Sequence, residues 1–167
     1  MTLFDQTGEV IQQSSRRGAQ IAILDCVHPD IEKFIKFKST PNARNKRLLE
    51  EYDRNLKKVN GSLKGTKYHK VLEKTLLDDQ LTHFNISVML TDKFMKAVEE
   101  DSDWDLISPS TKEVVKTIKA RELLKLLSEQ TWESGDPGVL FYDRINKDNM
   151  VPYISDITAL NPCSEIP

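Results

Sequence analysis

Asn161, Cys163 and Glu165 stand at alternate positions of the sequence, with Pro162 and Ser164 between them. In an extended segment successive side chains point to opposite sides, so this spacing predicts an amide, a thiol and a carboxylate facing one way. Such a set can orient a small ligand through hydrogen bonds, present a sulfur to react with it and accept a proton from it. Three polar residues near a terminus also suit a frayed tail, so the chemistry depends on what the rest of the chain builds around them.

The 167 residues, 38% of them apolar, are enough for one domain or a piece of one. With 24 Lys+Arg against 26 Asp+Glu the formal net charge is -2, which makes no case for nucleic acid or an anionic membrane as partner. Apolar runs are only a few residues long, excluding a transmembrane helix, and Met1-Thr2-Leu3-Phe4-Asp5 lacks the regions of a signal peptide, so a cytoplasmic protein is expected. Cys26 and Cys163 lie far apart with no CxxC pattern, and His28, His69 and His83 are not at metal-ligand spacing. Neither a metal site nor a structural disulfide is expected.

The elements that must position the terminal motif follow from periodicity. Residues 3–13 are short and amphipathic, and Ser14-Ser15-Arg16-Arg17-Gly18 breaks a helix before the apolar run Ala19–Leu24, which predicts a buried strand. His28-Pro29-Asp30 starts a helix carrying Ile31, Phe34 and Ile35, with His28 in a structural role. From about 38 to 81 the composition becomes charged. Leu48, Leu49, Tyr52, Leu56 and Val59 mark one helix, Asn60–Gly65 a turn, and Tyr68, Val71 and Leu72 a second helix. Basic residues here, among them Arg44, Lys46, Arg47 and Arg54, are interrupted by Glu50, Glu51 and Asp53, the pattern of a solvated face.

Phe84–Leu90 alternates as a strand, and Thr91-Asp92 can cap a helix with Phe94, Met95 and Val98. A longer helix follows, with Ala120, Leu123, Leu124, Leu127 and Thr131 on one face, ended by Gly135-Asp136-Pro137-Gly138. Val139–Tyr142 reads as another buried strand. The alternation of strands and helices predicts an α/β protein with parallel strands.

Five blocks, taken in order, resemble the catalytic large subunit of ribonucleotide reductase, specifically an internal stretch of its barrel domain. They are Arg16-Arg17-Gly18-Ala19; His28-Pro29-Asp30-Ile31 with Phe34-Ile35; Phe84-Asn85-Ile86-Ser87-Val88 with Phe94-Met95; Trp132 to Gly138 with Phe141 and Asp143-Arg144-Ile145-Asn146; and Asn161-Pro162-Cys163-Ser164-Glu165. The resemblance implies that residues 1–167 form part of a ten-stranded α/β barrel, in which a finger loop, here 161–165, carries the catalytic cysteine into the centre. The charged helical segment of about 38–81 has no strong counterpart and reads as an insertion of variable length.

Carried over residue by residue, the resemblance makes Cys163 the thiyl radical that removes the 3′ hydrogen of a substrate ribose. Glu165 becomes the general base for the 3′-hydroxyl, and Asn161 orients the ribose hydroxyls. The loop of about 12–20 matches the family's specificity loop between a deoxynucleotide effector and the substrate base, with Gln13, Arg16, Arg17 and Gln20 as its long hydrogen-bonding side chains. The family commonly has two glycines where this chain has Ser14-Ser15, which puts the path of that loop in question. Cys26 matches no functional position, and the family's reducing cysteine pair, phosphate site and remaining strands fall outside this stretch.

The forms Asn161-Pro162-Cys163 and Gly135-Asp136-Pro137-Gly138 look most like the adenosylcobalamin-dependent class; the alternative is the class whose radical comes from a separate metal-containing subunit. The implied partners are a ribonucleotide substrate, a deoxynucleotide effector and the remaining segments of the reductase chain, with a homodimer left open. Two other readings compete. One is a non-catalytic remnant of a gene interrupted by an intein or mobile element, for which Cys163-Ser164 would suit a splice junction; the other is a basic helical binding module at 40–75.

Overall fold

The computed structural model describes residues 2–13, 16–39, 43–57, 66–78 and 84–166. In chain order, α1 (Thr2–Val10) leads to a short antiparallel pair, β1 (Gln12–Gln13) and β2 (Arg16–Arg17), and then to β3 (Gln20–Asp25). Helices α2 (Ile31–Ile35), α3 (Ala43–Lys57) and α4 (Lys67–Asp78) precede β4 (Phe84–Leu90) and α5 (Asp92–Glu99). The chain continues through β5 (Asp103–Ile107), β6 (Val114–Lys119), α6 (Ala120–Ser134), β7 (Gly138–Phe141) and α7 (Tyr142–Lys147).

Strands β3, β4 and β7 form a parallel sheet with β4 in the middle, as the alternation of elements predicts. Gln20 lies opposite Phe84 and Asp25 opposite Met89, while Ser87 lies opposite Gly138 and Leu90 opposite Phe141. Every residue of β4 except Asn85 is buried, as befits a central strand covered on both faces. Phe84, Ile86, Val88 and Leu90 share a core with Ile31, Phe34 and Ile35 of α2, Phe94 of α5 and Leu123 and Leu127 of α6. Asn85, Ser87 and Met89 therefore line the opposite face. A Cβ on Gly138 would lie 2.8 Å from the Ser87 hydroxyl oxygen, so β7 reaches this register because its first residue has no side chain.

Local chemistry sets the helix ends. The Phe94 N–H donates to the Thr91 hydroxyl at 3.1 Å, the expected cap of α5, and the Asp92 N–H donates to Asp143 at 2.6 Å. Gly135, at φ 81°, ends α6 in the left-handed conformation that glycine adopts without penalty. His28 Nδ1 accepts the Asp30 N–H at 3.0 Å, a structural role as expected.

The antiparallel hairpin β5–β6 departs from the sequence reading, which passes directly from α5 to the long helix. It forms because Trp104 and Leu106 alternate with aspartates and are buried. The Trp104 indole N–H donates to the Cys26 carbonyl at 3.1 Å, and its ring meets Phe94 edge to face with centroids 5.1 Å apart. Burying two such side chains contributes about 1.5–3 kcal/mol each, and the alternation was legible in the sequence.

Three smaller differences have equally local causes. Tyr142 opens α7 instead of closing β7. In α3 the buried row is Asn45, Leu49 and Asp53, whereas Leu48 and Tyr52 are exposed, so of these three apolar residues Leu49 alone lies on the covered face. Four residues of β3, Ile21–Leu24, are only half-buried, because among the described residues this strand has a neighbour on one side alone. The turn expected at Asn60–Gly65 lies outside the described residues.

Candidate active site

After α7 the chain runs without regular structure to the terminal motif, and side chains hold its path. Asn146 donates from Nδ2 to the Ile157 carbonyl at 3.0 Å and accepts the Ile157 N–H at 2.7 Å. The Asn149 amide donates to the Ser155 carbonyl at 2.9 Å, and the Tyr142 hydroxyl donates to Asp156 at 2.6 Å. That last bond raises the Tyr142 hydroxyl above its usual pKa.

Residues 161–166 then close a turn. The Ser164 N–H donates to the Asn161 carbonyl at 2.8 Å, and the Ile166 N–H donates to Asn161 Oδ1 at 3.0 Å. Ser164 sits at φ 63°, a left-handed conformation that costs a non-glycine residue energy and needs surrounding contacts to persist. The extended alternation expected for Asn161, Cys163 and Glu165 is thus incorrect. Asn161 offers the backbone a competing local hydrogen bond, and among the described residues no strand pairs with this segment to keep it extended. The three residues still share one turn, with Cys163 and Glu165 exposed and Asn161 half-buried.

The turn is joined to the sheet through Asn85, whose Nδ2 donates to the Pro162 carbonyl at 2.7 Å. Asn85 is near the start of β4, opposite Ile21 of β3. The chain enters β3 from β2 through Gly18, whose N–H donates to the Gly8 carbonyl of α1 at 3.1 Å. Gln20, half-buried, opens β3 one residue from the level of Asn85. The Cys163 turn is therefore tied to the amino end of the parallel strands, the end at which Gln20 opens β3. Ser14 and Ser15, and the side chains of Gln13, Arg16 and Arg17, lie outside what is described.

The two cysteines differ sharply, although both are free. Cys26 is fully buried in the core, and that burial, with the neighbouring Asp25 charge adding to it, pushes its thiol up to about 12. It is chemically inert at neutral pH. Cys163 is exposed, so its sulfur can be approached. Among the described residues no group of His, Cys, Asp and Glu is arranged to hold a metal ion, and no helix is long and apolar enough to cross a membrane.

The sequence singles out Asn161 but gives no role to Asn85 or Asn146, although both fall within the matching blocks. In the sequence Asn85 is one of two polar residues, with Ser87, in the apolar run Phe84–Leu90, and the structure leaves Asn85 alone of that run exposed. Asn146 and Asp156 left no such trace, since their partners are set only by the fold.

Residues 1–167 match the family model described as the ribonucleotide reductase barrel domain. The chain is 37% identical over its whole length to a vitamin B12-dependent ribonucleoside-diphosphate reductase of Thermoplasma acidophilum, covering 17% of that protein. It is 32% identical to the protein of the same name from Mycobacterium tuberculosis, again over its whole length and covering 19% of that protein. Over 91% of its length it is 34% identical to a vitamin B12-dependent ribonucleotide reductase of Streptomyces avermitilis, covering 14% of it. The chain spans less than a fifth of each of these relatives. A match running from the first residue to the last, over the same blocks that the sequence presents in order, makes this chain a member of the ribonucleotide reductase barrel-domain family.

Proposed function

We propose that the chain is a segment of a vitamin B12-dependent ribonucleotide reductase and supplies its radical cysteine and specificity loop. The observation that carries this reading is the Asn85–Pro162 bond on the sheet face opposite the helix layer. In an α/β barrel the helices lie outside, so that opposite face is the one turned to the interior, where a finger loop has to deliver its cysteine. The three parallel strands would be part of a ten-stranded barrel, with the charged segment of about 38–81 as an insertion in it.

In this reading the sulfur of Cys163, as a thiyl, takes the 3′ hydrogen atom of the ribose: the C–H bond breaks and an S–H bond forms. Glu165 accepts the 3′-hydroxyl proton, and the 2′-hydroxyl leaves as water. The cysteine pair expected outside this segment supplies two electrons and two protons as it closes to a disulfide, one proton leaving with the 2′-hydroxyl as water and one hydrogen ending on C2′. Glu165 returns its proton to the 3′-oxygen, and Cys163 returns its hydrogen atom to C3′ and regains the radical. With Oδ1 engaged by Ile166, Asn161 orients the ribose hydroxyls through its amide donors. Adenosylcobalamin, bound in the complete enzyme, supplies the initiating radical; the exposed Cys163 thiol suits that hydrogen exchange, and no residue of this segment is assigned to hold the cofactor.

The specificity loop would report a deoxynucleotide effector to the substrate base through Gln13, Arg16, Arg17 and Gln20. The names of two relatives favour a ribonucleoside diphosphate as substrate. Consumption of dithiol equivalents suits the reducing cytoplasm.

The test is deoxynucleotide formation by the complete chain containing this segment, given ribonucleoside diphosphates, adenosylcobalamin and a dithiol. Turnover is expected, and Cys163→Ser should lower it at least about a thousandfold, since a serine O–H is too strong to exchange its hydrogen atom reversibly. Retained turnover in Cys163→Ser would remove the radical assignment.

A further inference from the structure

We infer that Asn85 is a positioning residue for Cys163, acting through the peptide that precedes the cysteine. The inference rests on the radical role of Cys163 proposed above. Its basis is the 2.7 Å bond from Asn85 Nδ2 to the Pro162 carbonyl. That carbonyl belongs to the peptide unit joining Pro162 to Cys163, so fixing it restricts the direction in which the cysteine side chain leaves the backbone.

The two partners differ in rigidity. Asn85 is carried by the central strand, paired on one side with Ile21 and followed by five buried residues, Ile86 to Leu90. The turn is held from within by Asn161, whose carbonyl and side-chain oxygens both accept from the turn itself, and it contains Ser164 at φ 63°. A turn closed on itself keeps its shape but not its placement. The Asn85 amide ties it to the sheet, and it does so 77 residues away in sequence. An asparagine suits the task because its amide is a neutral donor, leaving no charge beside a thiol that must react as a radical. Hydrogen-atom transfer requires near-contact alignment of the reacting atoms, so a small displacement of the turn slows chemistry more than it weakens binding.

The experiment uses the complete enzyme with Asn85→Asp and Asn85→Gln, beside Cys163→Ser. Asn85→Asp keeps size but replaces the donor with a carboxylate that repels the Pro162 carbonyl; it should lower kcat at least about tenfold while KM stays within about twofold. Asn85→Gln keeps an amide donor on a longer arm and should recover part of that loss. Alkylation of Cys163 by iodoacetamide, followed by peptide mass spectrometry, reads the turn without turnover and should change severalfold in Asn85→Asp. The inference is overturned if Asn85→Asp has wild-type kcat and alkylation rate, or if its loss appears equally in KM and in melting temperature. Retained turnover in Cys163→Ser would instead remove the underlying radical role.

Discussion

Asn146 holds the backbone of Ile157 from both sides, donating to its carbonyl at 3.0 Å and accepting its N–H at 2.7 Å. One side chain thereby does for the loop what a neighbouring strand does for a sheet residue, and that loop leads directly to the Cys163 turn. Asn146→Ala leaves both backbone groups half-buried and unpaired, at a cost of about 1–3 kcal/mol. Faster amide exchange at Ile157 and reduced turnover of the complete enzyme are expected; unchanged exchange would show that the loop does not depend on this contact.

Glu165→Gln preserves shape and removes the base. Substrate binding should stay within about twofold while reduction slows about 10²–10⁴-fold. Single-turnover kinetics separate the two, and an unchanged rate would take Glu165 out of the mechanism.

Replacing Arg17 or Gln13 by alanine should alter which substrate is preferred with a given effector. Coupling between two binding sites is worth about 5–150-fold in affinity, whereas a surface loop substitution changes stability by about 0.5 kcal/mol or less. Competition between substrates, measured with and without each deoxynucleotide, decides; an effector response identical to wild type in both variants would exclude the loop from specificity.

Cys26 makes the fold sensitive to alkali. The unfolded chain releases this proton near 9.0 and the folded chain near 12, so between those values the folded state holds the extra proton and stability falls as pH rises. The loss across that window is at most about 4 kcal/mol. Urea unfolding of the complete enzyme between pH 8 and pH 11, values spanning roughly the thiol range, should show a shallower decline in Cys26→Ala, which should also keep its turnover. Equal slopes would mean that the thiol is less well shielded than its position implies.

The 167 residues by themselves should make no deoxynucleotide and should self-associate. Trp132 is 93% exposed and, with Val139 and Phe141, borders an apolar groove of about 520 Å³ beside β7. Among the described residues the outer edge of β7 is unpaired, a template for association. Light scattering and a product assay test this directly. A monomeric isolated chain would contradict the first expectation, and turnover by that chain would contradict the second.

The sequence by itself determined the parallel α/β order, the caps at Thr91 and Gly135, the structural role of His28 and the family, because each is written in neighbouring residues. Periodicity, capping and motif order need no knowledge of distant partners. Its alternation at 161–165 was misleading, since the same residues close a turn once Asn161 bonds its own backbone. Only the tertiary structure decided that this turn is tied to β4 by Asn85, that Asn146 secures the approach to it, and that Gln20 stands at the same end of the sheet. Those contacts join residues as many as 77 positions apart, and no local pattern encodes which backbone carbonyl a strand's exposed amide will meet.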